Sequence, residues 1–574
     1  MDKVTFSYST KNIPVSSQSL YQQKLIEKTE LFIKRLRWRA FFYLNPNAHA
    51  KNNETHGFKS RISPPSIKEL NEFENELLRL IKNIKFNRSL NTFQHKLIKD
   101  IKTTQNGHKL IIAADKTTNF YKMSKADYDQ LLQKNICKTY KKSNKGAVNN
   151  INTEAKHIAC SLGIEDRVES MASREAYVTL KDHKPNFYNN PACRLINPAK
   201  SEIGHISKNI LSKIVKSVVD VKSTNLWRNT RSVLEWFKNI KDKNESSFIC
   251  FDVVEFYPSI TEKTLREALK FASKISTVTD QEIDIILHAK KSLLFHNAEP
   301  WSKKTSENFD VTMGSFDGAE TCELVGSMIL TQLSQLYGNS IGLYRDDGLA
   351  IFNETPRKIE IIKKNICKIF GKYDLKVTIE ANKKVIDFLD VTLDLNTGKH
   401  KPYNKPNNIP QYVHKDSNHP PCIIKNIPIN INKRLSELSS DHHIFEQAKG
   451  VYQDALIKSG YNHQLTYTPP TENTKHQKGR KRNITWYNPP FDLNVATNVG
   501  QEFFKILRKC FHHQHPLYKV FNKNTVKLSY SCMPNIKAAI SSKNSNINNI
   551  NTNDDNIALC NCRVKADCSF NGIC

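Results

Sequence analysis

The sequence predicts an α+β fold with an antiparallel sheet at its centre and helical extensions at both ends of the chain. Between residues 110 and 395, short apolar runs bounded by Asp, Gly or Pro alternate with longer helical patterns. This rhythm is typical of a sheet with helices on one face. Residues 67–86 and 433–459 instead carry helical patterns. A chain of 574 residues exceeds one compact core, so about three or four domains are expected.

The chain is strongly basic, because 86 Lys and Arg side chains against 56 Asp and Glu give a net charge of +30. Such an excess creates a long-range positive field that favours polyanionic partners, nucleic acid above all. General solubility is the alternative interpretation. The basic residues run through almost the whole length, which favours nucleic-acid binding.

Cysteine use and hydropathy indicate the compartment. The 13 cysteines are odd in number, and most stand singly in apolar runs, as Cys137 and Cys322 do. Residues 1–12 are polar and lack the apolar stretch of a signal peptide. We therefore expect a reducing compartment, with thiols free or metal-bound. No window of about 18 uncharged apolar residues occurs, so no membrane span is expected.

The N-terminal region predicts helices followed by a strand. Residues 31–44 (LFIKRLRWRAFFYL) mix cations and aromatic rings at helical spacing. Either this helix lies on a phosphate backbone, or it packs its apolar face into a core, which such stripes do more often. Residues 67–86 predict a further helix, and residues 109–114 a short strand.

The C-terminal third predicts connectors around helices. Residues 468–490 form a Pro- and Lys-rich connector that contains the basic cluster 475–482 (KHQKGRKR). This cluster is a nuclear localisation signal, a nucleic-acid clamp or a solvated loop. Residues 541–555 are low-complexity and Asn-rich, which predicts a flexible linker.

The strongest local signal is residues 344–348 (YRDDG), which lie between two apolar runs. They predict a β-hairpin with Asp-Asp-Gly at its turn. Adjacent carboxylates repel each other, so Asp346 and Asp347 need a cation or strong donors to stay ionised. An ordinary Asp-Gly turn is the alternative.

A second signal is residues 248–252 (FICFD), where four apolar residues predict a buried strand that ends in Asp252. Pro258 cannot donate to a strand ladder and so ends the extended segment. A turn or helix-capping Asp is the alternative for Asp252 alone.

Together, a strand-end Asp and an Asp-Asp hairpin about 90 residues later form the layout of palm-type polymerases. Phosphoryl transfer uses two Mg²⁺ about 3.5–4 Å apart, and hard cations prefer carboxylate oxygens. Asp252 and Asp346 are the expected bridging ligands, and Asp347 a weaker or electrostatic contributor. The two segments resemble motifs A and C of reverse transcriptases. In that family the fifth residue after the first Asp is a bulky gate against the ribose 2′-hydroxyl, which is Tyr257 here, unless Tyr257 is only a core aromatic.

Further segments resemble the nucleotide-binding parts of the same family. Residues 177–185 and 193–204 predict two short strands, each with a cation. The resemblance assigns Lys181 and Arg194 to the nucleotide phosphates, with Lys184 and Lys200 as alternates, since Arg binds phosphate through two donors and Lys as a point charge. Exposed cations of any basic protein are the alternative.

Residues 313–320 (MGSFDGAE) resemble motif B, which lines the template–nucleotide pair. Gly318 is expected to line the nucleotide and to open an apolar helix, because glycine lets the backbone approach closely. The Pro-Gln-Gly core of that motif is absent, which leaves the roles of Gly314 and Gly318 open.

Residues 375–384 resemble motif D, which implies Lys383 or Lys384 as general acid toward pyrophosphate, with a solvated turn as the alternative. Residues 388–395 alternate apolar and polar side chains and predict a half-buried strand; they resemble the primer-grip hairpin.

A narrower resemblance, to Penelope-like retroelement reverse transcriptases, covers the chain from about residue 31 to its end. It rests on these segments taken together: 35–42 (RLRWRAFF), 114–121 (ADKTTNFY), 313–320, 344–348, 388–395, 486–500 (WYNPPFDLNVATNVG) and 528–535 (LSYSCMPN). This family is related to telomerase catalytic subunits, so the resemblance implies a right-hand polymerase of fingers, palm and thumb.

The resemblance also implies a domain plan: an N-terminal helical basic region at 1–108, fingers and palm at 109–400, a thumb at 401–467, a basic connector with a helical region at 468–540, and a tail at 541–574. Many members carry a GIY-YIG endonuclease after a Cys-rich linker, and the tail resembles only the start of that linker, so no nuclease activity is expected. Four of its thiols suit tetrahedral Zn²⁺ in number, although their spacing is unlike a paired zinc ribbon: Cys560, Cys562, Cys568 and Cys574.

These expectations define a function. The chain is predicted to be a Mg²⁺-dependent RNA-directed DNA polymerase of a retroelement, with an element RNA template, a genomic DNA primer and dNTPs as partners, no membrane, and a nuclear location. One alternative is a catalytically silent nucleic-acid-binding protein with a polymerase fold. The other is telomerase-like repeat synthesis, for which the region before Lys109 looks short.

Overall fold

The structure is a computed structural model, and it describes residues 1–4, 6, 12–46, 62–87, 92–105, 107–115, 117, 119–165, 174–182, 184, 186–198, 200–306, 308–404, 410–469 and 483–549. The strands are β1 (Asp2–Val4), β2 (Leu110–Ala113), β3 (Phe120–Met123), β4 (Tyr140–Lys142), β5 (Tyr177–Leu180), β6 (Cys193–Ile196), β7 (Asn225–Leu226), β8 (Ser247–Val253), β9 (Leu294–His296), β10 (Glu299–Lys303), β11 (Ile341–Tyr344), β12 (Asp347–Phe352), β13 (Val377–Lys383), β14 (Val385–Phe388), β15 (Val391–Asp394), β16 (His400–Pro402), β17 (Thr485–Tyr487), β18 (Pro490–Phe491), β19 (Val526–Leu528) and β20 (Ser531–Cys532). The helices are α1 (Gln18–Leu44), α2 (Asn71–Lys82), α3 (Thr92–Gln105), α4 (Lys125–Thr139), α5 (Lys145–Ser161), α6 (Glu202–Lys222), α7 (Thr230–Lys238), α8 (Phe256–Ser259), α9 (Glu262–Ser273), α10 (Asp280–His288), α11 (Gly318–Tyr337), α12 (Pro356–Gly371), α13 (Pro421–Leu438), α14 (His442–Lys458), α15 (Val499–Cys510) and α16 (Ile536–Asn549).

The largest sheet has the strand order β13-β8-β12-β11-β7. Its strands pair antiparallel except at one edge, where β7 lies parallel to β11. The fold is thus mixed α and β, and the predicted antiparallel sheet is antiparallel apart from this edge pair.

Both faces of this sheet are covered, whereas the sequence predicted helices on one face. Ile249 and Phe251 of β8 face a core shared with helices α6, α9, α11 and α12. Phe248 faces a second core, formed with α7 and the β14–β15 hairpin. A strand buried on both faces reads as a continuous apolar run, which explains the unbroken FICF sequence before Asp252.

The segment at residues 388–395 is a hairpin end, not the single strand that its alternation predicted. Leu389 has a φ of 56°, so the chain turns there between β14 and β15. Phe388 and Val391 pair directly across this turn. The two residues between them include no Gly, Pro or Asn, so the sequence carried no strong turn signal.

Residues 31–44 pack their apolar face into a core, as the favoured interpretation predicted. Phe32 and Leu36 of α1 are buried against α2, α15 and the β17–β19 pair. The N-terminal helices and the segment after residue 483 thus share one core. This arrangement requires contacts between residues more than 400 positions apart, such as Thr29 with Tyr487.

Residues 541–549 are helical, which differs from the flexible linker predicted there. They form the last turns of α16, whose Ile536 and Ile540 are buried. The Asn544 side chain accepts from the Ile111 N–H at 3.1 Å and donates to the Ile111 C=O at 2.9 Å. The Asn-rich composition of this segment gives no sign of these hydrogen bonds between Asn544 and the edge strand β2. Among the described helices, none combines the length and apolarity that crossing a bilayer requires.

Candidate active site

Two of the predicted carboxylates face each other across the central sheet. Asp252 of β8 is the register partner of Asp347 of β12, and the Val253 N–H donates to the Asp346 C=O at 2.9 Å. Directly opposed residues share a sheet face, with Cβ atoms about 5 Å apart. Asp252 therefore lies beside the Asp346–Asp347 hairpin.

The hairpin turn consists of Arg345 and Asp346, because Tyr344 pairs with Asp347. This differs from the Asp-Asp-Gly turn predicted: Asp347 and Gly348 already belong to β12. Arg345 adopts a φ of 55°, a left-handed conformation that side chains rarely take. Gly348 is required for another reason, since a Cβ there would lie 2.0 Å from the Phe251 ring.

The three carboxylates suit a hard cation in ligand type. Asp252 is exposed, and Asp346 and Asp347 are half-buried, so water and phosphate oxygens can reach them. Mg²⁺ typically binds one or two carboxylates and completes its octahedron with water and phosphate. Within the described ranges, no three His, Cys, Asp or Glu side chains converge into a complete metal site.

Tyr257 and Gly318 lie against each other next to this hairpin, in what we call the Tyr257–Gly318 contact. Tyr257 lies on the short helix α8 that follows β8, and its Cε1 would be 3.3 Å from a Cβ at Gly318. Burial raises the pKa of the Tyr257 phenol to about 12, with smaller effects from Cys322 and Asp346 in the same direction. Gly318 also approaches the Thr312 carbonyl, which a Cβ would meet at 2.5 Å.

Gly314 lies against the backbone that follows strand β6. A Cβ at Gly314 would lie 1.9 Å from the Asn197 carbonyl oxygen, so only glycine allows this approach. Nearby, the Lys200 ammonium lies 5.5 Å from the centre of the Phe316 ring. Residues 313–320 thus contact the segment that follows β6.

The structure places Lys181 and Arg194 on the paired strands β5 and β6 or directly beside them. Arg194 is the register partner of Thr179, and its Nη1 lies 3.5 Å from Asp115 Oδ1. The Lys181 N–H donates to the Ala192 C=O at 2.8 Å. Both side chains are half-buried, whereas Lys184 and Lys200 are exposed.

Lys383 and Lys384 stand away from the facing carboxylates. Lys383 is the register partner of Phe248, four residues before Asp252, or about 13 Å along the strand. The Lys384 ammonium donates to the carbonyls of Asn244 and Ser246, at 2.7 and 2.6 Å.

Lys376 is the cation that sequence reasoning missed at this end of the sheet. Thr378 is the register partner of Asp252. Lys376, two residues earlier, is exposed, and its backbone C=O accepts from the Val254 N–H at 2.9 Å. Residues two apart on a strand share a face. The register of β13 on β8 would have identified Lys376, but the sequence does not reveal that register.

Other predicted sites lie outside the described residues. These are the basic cluster 475–482 and the four cysteines proposed for Zn²⁺: Cys560, Cys562, Cys568 and Cys574. The nine cysteines within the described ranges are free thiols.

No family model and no curated protein matches the chain. Among solved structures, it is similar to apo telomerase from Candida tropicalis truncated from its C-terminal domain (TM-score 0.36, 12% identity, 51% of this chain and 63% of that one). It is similar to telomerase from Candida albicans in complex with a TWJ fragment of telomeric RNA (TM-score 0.42, 11% identity, 64% of each chain). It is also similar to the RNA-dependent RNA polymerase of a human picobirnavirus (TM-score 0.35, 9% identity, 73% and 94%). The chain spans slightly less than two thirds of the two telomerases, at 63% and 64%.

Proposed function

We propose that this chain is an RNA-directed DNA polymerase of a Penelope-like retroelement, which extends a DNA 3′-hydroxyl on an RNA template. One observation supports the proposal above others: Asp252 and Asp347 are directly opposed, with Asp346 in the adjoining turn. A carboxylate set at the exposed end of a paired strand and its hairpin suits metal-assisted phosphoryl transfer.

In this proposal Asp252 and Asp346 hold Mg²⁺ through their carboxylate oxygens, and Asp347 adds negative charge. Bound Mg²⁺ would lower the pKa of the primer hydroxyl and stabilise the charge of the leaving pyrophosphate. The protein fixes the spacing of these carboxylates through the β8–β12 register. The exposed position of Asp252 leaves that face accessible to the primer and the triphosphate.

The Tyr257 ring beside the carboxylates would select the nucleotide. It lies so close to Gly318 that a Cβ there would be 3.3 Å from its Cε1, so a 2′-hydroxyl directed at this ring would meet it. Lys181 and Arg194 would bind the triphosphate, for which Arg194 must exchange its contact with Asp115. Lys376 is a better placed candidate than Lys383 or Lys384 for donating a proton to pyrophosphate.

The partners follow from this activity and from charge. A net charge of +30 favours binding of an element RNA and of a genomic DNA primer at low salt. A nuclear location is part of the proposal, because a genomic 3′ end is the primer.

Primer extension tests the proposal. The full chain is incubated with a DNA primer on an RNA template, dNTPs and Mg²⁺, and we expect template-length DNA. Asp346→Ala should abolish extension, whereas Asp220→Ala, on the exposed surface of α6, should not alter it. Absence of extension by the unaltered chain, with nucleic-acid binding retained, would instead favour the catalytically silent binding protein. Repeat addition that needs a stably bound RNA would favour telomerase-like synthesis.

A further inference from the structure

Two lysines are buried close to the Tyr257–Gly318 contact, and each pairs with a buried aspartate. The Lys290 side chain is 1% exposed and pairs with Asp317, which is 0% exposed. The Lys303 side chain is 8% exposed and lies 3.4 Å from Asp310, which is 3% exposed. Charges are rarely buried, because desolvation is unfavourable by several kcal/mol per ion unless partners compensate.

Lys303 holds the Tyr257 side of the contact. Its ammonium donates to the Pro258 C=O at 2.7 Å, one residue after Tyr257. Asp310 is fixed in turn, since the Tyr140 hydroxyl donates to its other oxygen at 2.6 Å. The Pro258 C=O, next to Tyr257, is thus bound to strand β10 by the charged Lys303 ammonium. Such hydrogen bonds are stronger than neutral ones.

Lys290 holds the Gly318 side of the contact. Its partner Asp317 directly precedes Gly318, and the Asp317 carboxylate also accepts from the Ser207 hydroxyl. The Asp317 carbonyl accepts from the Thr321 hydroxyl at 2.8 Å within α11. The start of α11, which places Gly318 against the Tyr257 ring, is therefore anchored through a buried charge pair.

The two pairs belong to one network. The Asp310 N–H donates to the Lys290 C=O at 2.9 Å, and Lys291 and Phe309 form a β-bridge beside it. The segments that carry Tyr257 and Gly318 are therefore connected through these backbone contacts. Because an apolar pair of similar volume would commonly give equal or greater stability, stability alone is a poor explanation for four buried charges here.

We propose that the Lys303–Asp310 and Lys290–Asp317 pairs fix how the Tyr257 ring lies against Gly318 and so determine the choice of the site between deoxyribo- and ribonucleotides. They are positioning residues, which act through Tyr257 and Gly318. The choice of nucleotide rests on the proposed polymerase function. The positioning of Tyr257 and Gly318 by the two charge pairs does not.

The chain offers matched controls. Lys304 adjoins Lys303 but is exposed, and its ammonium donates to the Cys137 C=O at 2.6 Å. Lys291 adjoins Lys290 but pairs on the surface with Glu154 at 2.6 Å. Each Lys→Met change can therefore be made at a buried position and at its exposed neighbour.

The first measurement is kcat/KM for a dNTP and for the matching rNTP. Lys303→Met and Lys290→Met should lower the dNTP preference by about tenfold, the size of effect that one pocket contact carries. Lys304→Met and Lys291→Met should keep the preference of the unaltered chain. A buried variant that loses both activities in proportion has only a structural role, and this result overturns the proposal. Should a single variant fail to fold, Lys303→Met/Asp310→Leu removes both charges together.

The second measurement does not depend on catalysis. The chain is labelled with 3-fluorotyrosine, and the ¹⁹F resonance of Tyr257 is assigned from its loss in Tyr257→Phe. Lys303→Met should shift this resonance, and Lys304→Met should not. An unshifted resonance in Lys303→Met overturns the network whether or not the chain extends primers. A shifted resonance in a chain without primer extension supports the network and rejects the proposed function.

Discussion

Asp252 and Asp347 face each other across the pairing of β8 with β12. Like charges in directly opposed positions destabilise a pair of strands. Two carboxylates at these positions therefore do not favour the pairing of the strands. A bound cation would make their contribution to stability favourable. Cation binding at this pair, as proposed above, would therefore add to the stability of the sheet.

Asp252→Asn should raise the thermal stability of the chain in metal-free buffer. It removes a repulsion of about 0.2–1 kcal/mol between opposed carboxylates. Adding Mg²⁺ should raise the Tm of the unaltered chain and change that of Asp252→Asn much less. Asp220→Asn, on exposed α6, is the control. A Tm that falls in metal-free Asp252→Asn would contradict the repulsion.

Gly348→Ala should destabilise the fold by about 1–3 kcal/mol, the usual effect of overpacking. A Cβ at this position would lie 2.0 Å from the Phe251 ring, so the β8–β12 pairing must shift. Gly371→Ala is the control, because nothing lies within 4 Å of a Cβ there. Chemical denaturation measures both variants, and Phe251→Leu should restore part of the loss in Gly348→Ala.

Around Asp252 and Asp347, the sequence predicts the individual strands but not how they pair. The strand ending in Asp252 and the hairpin at 344–348 were predictable, since apolar runs bounded by Asp and Gly are local signals. The opposition of Asp252 and Asp347 was not derivable from periodicity, because register between strands far apart in sequence depends on tertiary contacts. The resemblance to a polymerase family supplied that expectation.

Buried charge explains most of what sequence reasoning missed at the site. Lys290 and Lys303 carry no local signal that separates them from Lys291 and Lys304, which are less buried. Lysine is ordinarily a surface residue, so its burial depends on an aspartate brought near by the fold. Lys376 was missed for a related reason, since only the β13–β8 register places it near Asp252.

Arg345→Gly should stabilise the chain. Arg345 has a φ of 55°, and a left-handed conformation is unfavourable by about 1 kcal/mol for a residue with a Cβ. Arg345→Ala keeps the Cβ and should bring no such gain, which makes it the matched control. Unfolding in urea separates the two variants, and equal midpoints would show that the turn is not strained.

Stability should fall as the pH rises from 10 toward 12, and Tyr257 should contribute to the fall. Burial raises the pKa of its phenol from 10.0 to about 12. The unfolded chain therefore releases this proton first, and the stabilisation present below pH 10 is lost as the pH rises through the folded pKa. Tyr257→Phe should show a shallower fall than the unaltered chain. Tyr43→Phe, at an exposed tyrosine, should follow the unaltered chain.

Lys384→Met should lower stability, whereas Lys376→Met should slow nucleotide addition. The Lys384 ammonium satisfies two backbone carbonyls, so its loss should lower the free energy of unfolding by about 1–3 kcal/mol and leave extension by the folded protein intact. Lys376 is exposed at the Asp252 end of the sheet, so Lys376→Met should unfold normally. If Lys376 donates a proton to pyrophosphate, its loss should slow single-nucleotide addition by about a hundredfold and flatten the pH–rate profile. Slow addition in Lys384→Met at normal stability would contradict this assignment. The general acid would then be Lys383 or Lys384, although both lie farther from Asp252 along the sheet.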